Sequence, residues 1–247
     1  MTIQVDNISK QYANIKVIEN ITFSISKNDC IGIIGKNGVG KTTLLKLLLG
    51  MRIPNSGSIY YEKSKILSLD LKKRMGFYIG REYLPEELTG REYLNFLNQI
   101  YCDGARTPYQ IEELFNFFFD STDSIDKKIR DYSYGMAQKI GICGAILHEP
   151  ELLILDETFN GLDIFSSTKV VDFLIEYAKK HTVITSSHDI NFLEKICNKI
   201  LLLEAGCMIY FGSTEQLRSN FDNSLEKSIL NTLNDTVAFH NPLNWLI

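Results

Sequence analysis

Apolar residues along this 247-residue chain follow two different periods, and the places where one gives way to the other mark out its organisation. Over residues 2–26 the period is two: Ile3, Val5 and Ile8, then Val17, Ile18, Ile21, Phe23 and Ile25, with Asn14 between them as a turn residue. Alternation rich in β-branched side chains predicts two or more antiparallel strands. Lys27-Asn28-Asp29 predicts a second turn, and the unbroken apolar run 30–34 that follows predicts a parallel strand buried on both faces. Leucines at helical spacing occupy 43–49, a turn at 54–57 leads to a strand at 58–61, and 75–79 is a further apolar run.

From about residue 85 the period becomes helical. Residues 86–101 carry Leu88, Tyr93, Leu94, Phe96, Leu97 and Ile100 at helix-like spacing, and Thr89 with Glu92 can form a capping box. Residues 111–120 hold Leu114, Phe115, Phe117, Phe118 and Phe119, too many for a helix with one apolar face. Either both faces meet the core, or one meets a partner. A helix begins near Tyr134, and the β-pattern returns at 151–155, bounded by Pro150 and Asp156. After it come a helix at 166–180, a strand at 182–185, a helix at 190–197 and paired strands at 200–203 and 208–211. Strands alternating with helices predict an α/β fold, interrupted by the helical stretch of about 85–148. Beyond Asp222 the pattern is weak, and Phe239, Leu243 and Trp245 read as packing residues.

Chemistry enters at Gly35-Lys36-Asn37-Gly38-Val39-Gly40-Lys41-Thr42, a glycine-rich phosphate loop lying between a predicted strand and the helix that opens at Thr43. Glycines let successive backbone N–H groups turn inward around an anion, and the helix adds its positive dipole end. Lys41 then reaches the β- and γ-phosphates, and the Thr42 hydroxyl reaches Mg²⁺. A second element of such a site stands at the end of the 151–155 run. There Asp156 can hold the hydrated metal opposite Thr42, and Glu157 can take a proton from an attacking water.

With these motifs in place the chain resembles the ATP-binding subunit of ABC transporters over about residues 1–215. Tyr12 matches the aromatic residue that stacks on adenine in that family. Tyr132-Ser133-Tyr134-Gly135-Met136 matches the signature, Asn160-Gly161-Leu162-Asp163 the D-loop, and His188, after Ser186-Ser187, the switch histidine. The resemblance implies a P-loop NTPase core with a mostly parallel sheet, an N-terminal antiparallel β subdomain and an inserted α-helical subdomain. It divides the chain into an ATP-binding domain at 1–221 and a C-terminal extension at 222–247. Within the domain, the core spans about 1–84 and 149–221 and the helical subdomain about 85–148. It also implies an ATPase using ATP and Mg²⁺, acting as a homodimer or with a homologous ATPase subunit. In such a dimer Ser133 faces the γ-phosphate held by the opposite subunit, Asp163 lies at the seam, and His188 orients the catalytic water. Integral membrane permease subunits complete the transporter, with this chain cytoplasmic and peripheral on the inner face of the cell membrane.

The chain departs from the family pattern at several points. Gly80 stands where a glutamine usually contacts Mg²⁺, with Glu82 as a substitute; Thr158 and Phe159 replace the usual D-loop residues, and Tyr134 and Met136 replace a glycine and a glutamine. The signature in this form, with Gln138 and Lys139 behind it, is similar to ATPases of bacterial drug, peptide and lantibiotic export. A net charge of −4 gives no footprint for nucleic acid, so the rival reading, a soluble ABC ATPase acting on nucleic acid or the ribosome, is disfavoured. Five cysteines without a C-x-x-C pair read as buried thiols in a reducing compartment. No apolar stretch approaches the roughly 18 to 20 residues of a spanning helix, and strand-like alternation from residue 2 leaves no room for a signal peptide.

Overall fold

The computed structural model describes residues 1–219 and 224–234. The N-terminal alternation folds as β1 (Ile3–Tyr12) and β2 (Ile15–Ile25), joined at Ala13 and Asn14. With β4 (Ser56–Tyr61) on the other side of β1, they form a three-stranded antiparallel sheet in the order β2-β1-β4. Ile3 and Val5 are buried, whereas Gln4 and Asp6 point to solvent, as a period of two requires, and a register shift at Asn7, where φ is 47°, brings Ile8 to the buried face as well.

A second sheet carries the rest of the strands: β3 (Cys30–Ile34), β5 (Met75–Tyr78), β6 (Leu152–Asp156), β7 (Thr182–Ser186), β8 (Lys199–Glu204) and β9 (Cys207–Ser213). Their order is β5-β6-β7-β3-β8-β9, and only β9 runs antiparallel to its neighbour. Every residue of β3, β6 and β7 is buried, because both faces of this sheet are covered. Alternate residues therefore feed two cores. Leu152 and Ile154 of β6 and Leu201 and Leu203 of β8 join Val5, Ile21, Leu44 and Leu47 between the sheets. Leu153, Leu155, Ile200 and Leu202 face the other way, toward Leu94, Phe115, Phe118 and Ile140.

The helices are α1 (Lys41–Leu48), α2 (Leu69–Lys73), α3 (Gly90–Cys102), α4 (Pro108–Phe119) and α5 (Tyr134–Ile146) before β6. After it come α6 (Ile164–Ala178), α7 (Ile190–Ile196), α8 (Thr214–Ser219) and α9 (Leu225–Asn234). The Thr89–Glu92 capping box forms with both bonds in place, so α3 starts at Gly90 and not at 86; the preceding residues close a turn, Leu88 N–H donating to the Pro85 carbonyl at 3.1 Å. A second capping box, Thr107 with Gln110, opens α4. In α4, Ile111, Phe115 and Phe118 are buried, Leu114 and Phe119 pack against the same core, and Phe117 stays half exposed. The helix is a core element, its crowding of phenylalanines explained by stacking of Phe115 on Phe119 and edge contact of Phe118 with Phe173.

Two sequence expectations change. The segment after 222 holds a helix, α9, in which Leu225 and Ile229 are buried and Leu233 packs on the same core, at the four-residue spacing of one helix face. Phe239, Leu243 and Trp245 lie outside the described residues. Of the five cysteines, which are all free, Cys30, Cys143 and Cys197 are buried while Cys102 and Cys207 are only half-buried. Burial pushes the Cys143 thiol up, which leaves it protonated and inert.

Candidate active site

β3 ends at Ile34 and α1 opens at Lys41, so the phosphate loop spans the gap between a buried strand and a helix N-terminus. Gly40 has φ of 116°, and a Cβ there would stand 2.7 Å from the Val17 carbonyl oxygen on β2. Only glycine closes the loop against the neighbouring sheet. Its interior holds Lys41, which is 6% exposed and whose Nζ donates to the carbonyl oxygens of Gly35 at 2.8 Å and Lys36 at 3.4 Å. Val17, Asn37, Gly38, Gly40, Lys41, Thr42, Thr43 and Glu157 line a cleft of about 180 Å³ over the loop. This volume falls short of the roughly 300 to 1,000 Å³ that encloses a drug-sized ligand, so the cleft can seat phosphates and leaves the rest of a nucleotide outside.

Parallel pairing of β6 with β7 sets Asp156 opposite Ser186, beside the loop. The Thr42 hydroxyl donates to Asp156 Oδ2 at 2.5 Å, and the Ser186 hydroxyl donates to Asp156 Oδ1. Both oxygens of a carboxylate that is 7% exposed are thereby held in place. Thr42 and Asp156 supply hard oxygen donors converging at the edge of the cleft. This set fits Mg²⁺, which takes one or two protein oxygens and fills its other positions with water and substrate phosphates.

At Glu157 the backbone turns into the left-handed region, with φ of 50°, a conformation that costs a non-glycine residue about 1 to 2 kcal/mol. Ser186 holds it there: the Glu157 N–H donates to the Ser186 hydroxyl at 2.9 Å and to its carbonyl at 3.2 Å. The turn sends the two adjacent carboxylates to different partners. Glu157 Oε1 lies 3.2 Å from Lys41 Nζ and 3.0 Å from His188 Nε2, while Oε2 accepts from Asn160 Nδ2 at 3.1 Å. His188 Nε2 also lies 2.6 Å from Asn37 Oδ1. Lys41 Nζ stands 3.3 Å from the same nitrogen, so His188 Nε2 sits among two acceptor oxygens and one ammonium donor.

The signature and the D-loop meet on the other side of Glu157. Ser133 caps α5, its hydroxyl accepting from the Met136 N–H at 3.2 Å, and Asp163 caps α6, accepting from the Ser166 N–H at 2.9 Å. The Ser166 hydroxyl also donates to Asp163 and holds its carboxyl below the usual carboxylate range. A Cβ on Gly135 would stand 2.8 Å from the Gly161 carbonyl oxygen, and the Tyr134 ring fills the space beside Gly161. Among the described residues, no hydrogen bond of Ser133 or Tyr134 reaches the phosphate loop of the same chain.

The family model described as ABC transporter matches residues 18–160, from β2 to the turn after Glu157. The chain belongs to the ABC transporter family, as an ATP-binding subunit and ATPase. Curated relatives point the same way. The bacitracin transport ATP-binding protein BcrA of Enterococcus faecalis is 32% identical over 211 residues, 84% of this chain and 68% of that protein. NatA of Bacillus subtilis, an ABC transporter ATP-binding protein, is 29% identical over 208 residues, 82% of this chain and 84% of its own length. The Nod factor export ATP-binding protein I of Rhizobium meliloti is 27% identical over 215 residues, covering 86% of this chain and 64% of that protein. A solved ATP binding subunit of an ABC transporter superposes with a TM-score of 0.82 at 25% identity over 94% of this chain and all of its own. A dimeric post-hydrolysis ATP-binding cassette bound to ADP and Pi shares the fold, with a TM-score of 0.77 at 22% identity over 85% of this chain.

Within this ABC ATPase the structure gathers Lys41, Thr42, Asp156, Glu157 and His188 into one cluster, as their order along the chain predicts. Tyr12 stands apart from it. Its ring is 40% exposed at the end of β1, with Lys10 Nζ 5.4 Å above it, and the cleft is walled by Val17 of the facing strand instead. At Gly80, where φ is 134°, the Glu82 carboxylate folds over the space a side chain would take. Sequence reasoning named Ser186, Asn37 and Asn160 only as members of motifs and gave them no individual contacts. Ser186 was legible only as a neighbour of His188.

Proposed function

We propose that this subunit powers a transporter by closing with a second copy, or with a homologous ATPase subunit, around two MgATP. The observation that carries this reading is the cluster at the cleft: Thr42 and Asp156 joined through one hydroxyl, with Glu157 held beside Lys41 and His188. In the proposed site Lys41 leaves its loop carbonyls for the β- and γ-phosphates, and the N–H groups of Gly38, Val39, Gly40, Thr42 and Thr43 surround them. Mg²⁺, held by Thr42 and Asp156, would offset phosphate charge. Glu157 takes the proton of the attacking water, and His188 turns Nε2 to the γ-phosphate. Tyr12 stacks on the adenine.

A cleft of about 180 Å³ leaves most of a nucleotide uncovered. The covering surface in this reading is the partner's signature, Ser133 to Met136, at the N-terminus of α5, where helix N–H groups favour an anion. Asp163 sits at the seam. The division into a core at about 1–84 and 149–221 with a helical subdomain at about 85–148 is part of the same proposal, and the subdomain is the piece that carries the signature.

Among the described residues no helix is long and apolar enough to cross a membrane. Separate permease subunits form the passage in this reading, and the chain docks on them at the inner face of the cell membrane. Export is the proposed direction, supported by a relative named for Nod factor export. Purification of the tagged chain from solubilised membranes tests the assignment. An integral membrane protein that co-purifies and stimulates ATP hydrolysis is the expected result; ribosomes or DNA in its place would overturn it.

A further inference from the structure

Asn160 connects the acidic cluster to the signature helix by contacts made inside one chain. Its side-chain amide donates to Glu157 Oε2 at 3.1 Å, and its backbone N–H closes the same turn on the Glu157 carbonyl at 3.3 Å. From the other side, Gln138 of α5, 3% exposed, donates its amide to the Asn160 carbonyl at 3.4 Å. One residue on, Gly161 is pressed between the Tyr134 ring and Gly135, with no room for a Cβ on either glycine. The turn carrying Asn160 thus rests directly on the first turn and a half of α5.

In the structure Lys41 Nζ and His188 Nε2 stand 3.2 and 3.0 Å from Glu157 Oε1 without hydrogen-bonding to it, whereas Asn160 donates a hydrogen bond to Oε2. In the proposed mechanism Lys41 and His188 both turn to phosphate and leave Oε1. Asn160 then remains as the donor fixing the direction of the carboxylate. We infer that Asn160 is a positioning residue for Glu157, and that α5, through Gln138 and the Tyr134–Gly161 contact, sets where Asn160 stands. This rests on Glu157 being the base, as proposed above. Its consequence is that anything pulling on the N-terminus of α5, such as a nucleotide docked on the signature from the opposite subunit, also shifts the base of this chain's own site.

The experiment measures kcat and KM for ATP in the full chain, wild type against Asn160→Ala, Asn160→Asp, Gln138→Met and the Asn160→Ala/Gln138→Met pair, with Glu157→Gln as the reference. A donor to a charged acceptor is at stake, so Asn160→Ala should lower kcat roughly 10- to 100-fold with KM changed less than about twofold. Asn160→Asp has the same shape and keeps the turn, but it sets a carboxylate against Glu157, and it should be at least as slow as the alanine variant. A purely structural role predicts the opposite order, the isosteric aspartate milder than alanine. Gln138→Met should lower kcat less, and the pair should lose no more than Asn160→Ala alone, because both changes break one path. An active Glu157→Gln would remove the base assignment itself. An inactive Glu157→Gln beside Asn160 variants of unchanged kcat, or losses that multiply in the pair, would overturn the role of Asn160 or of its link to α5 while leaving the base in place.

Discussion

Thr42 and Asp156 are 114 positions apart in the chain, and the hydroxyl of one donates to the carboxylate of the other at 2.5 Å. This bond joins the N-terminus of α1 to the end of β6, and it defines the edge of the cleft where metal and phosphate are expected to meet. Asp156→Asn keeps the shape and removes the charge. Mg²⁺ dependence of ATP binding should weaken at least roughly tenfold, since loss even of groups behind a metal ligand costs that much. Nucleotide titrations with and without Mg²⁺ check it; an unchanged metal effect would remove Asp156 from the metal site.

Glu157→Gln should retain ATP binding and lose most of the hydrolysis, because Lys41, Thr42 and Asp156 stay while the proton acceptor is gone. General-base catalysis is worth about 10²- to 10⁴-fold, and the loss should fall in that range. Bound nucleotide should also hold the variant as a dimer in size-exclusion chromatography. Turnover near wild type would exclude Glu157 as the base.

Tyr12→Ala separates nucleotide binding from chemistry. Stacking on a base is worth roughly 1 to 3 kcal/mol, so the Kd for ATP should rise about 5- to 150-fold while turnover at saturating ATP changes little. Lys10 Nζ lies 5.4 Å from the ring centroid, over one face. An unchanged Kd would make Tyr12 a strand-end aromatic and nothing more.

Shared sites are tested by mixing lesions. Lys41→Ala disables the loop of its own chain, and Ser133→Arg blocks the signature that serves the partner. A mixed dimer carries both lesions in one composite site and neither in the other. Doubly tagged mixed dimers should regain up to about half the activity that both homodimers lack, less if the sites are coupled. Strong hydrolysis by a Ser133→Arg homodimer would show that the signature does not act across the seam.

A pH effect on stability follows from Arg74, which donates through Nε and Nη2 to Glu151 at 2.7 Å and through Nη1 and Nη2 to Glu62 at 3.0 and 2.6 Å. The guanidinium holds the Glu151 carboxyl down to about 2, from an ordinary value of 4.5. A depressed acid contributes stability above its unfolded value and loses it as pH falls through the folded one. The gap in Tm between wild type and Glu151→Gln should therefore be full at pH 7 and shrink from about pH 4.5 toward 2, staying small throughout because Glu151 is partly exposed. A gap that is constant across that window would mean that the pair does not link folding to protonation.

Much of the fold was legible because its signals are local. Alternation marks β1 and β2, unbroken apolar runs mark β3 and β6, the β-branched run Thr182-Val183-Ile184-Thr185 marks β7, and Thr89 with Glu92 writes the start of α3 into four residues. The phosphate loop was legible for the same reason, since all its ligating groups are contiguous and its glycines answer to backbone geometry. Shortness hid α2, where Leu71 is the buried residue, and α9, whose apolar residues are separated by polar ones. Most of the contacts that hold the acidic residues could not be read. Ser186 meets Asp156 because β6 and β7 pair in one register, Asn37 meets His188 because β3 lies beside β7, and Asn160 meets α5 because Gly135 and Gly161 let two backbones touch. Residue types and their order therefore named the chemistry, whereas the partners that aim it, apart from Asn160 three positions from Glu157, lie tens of positions or more away and were decided only when the parallel sheet brought its strand ends to one edge.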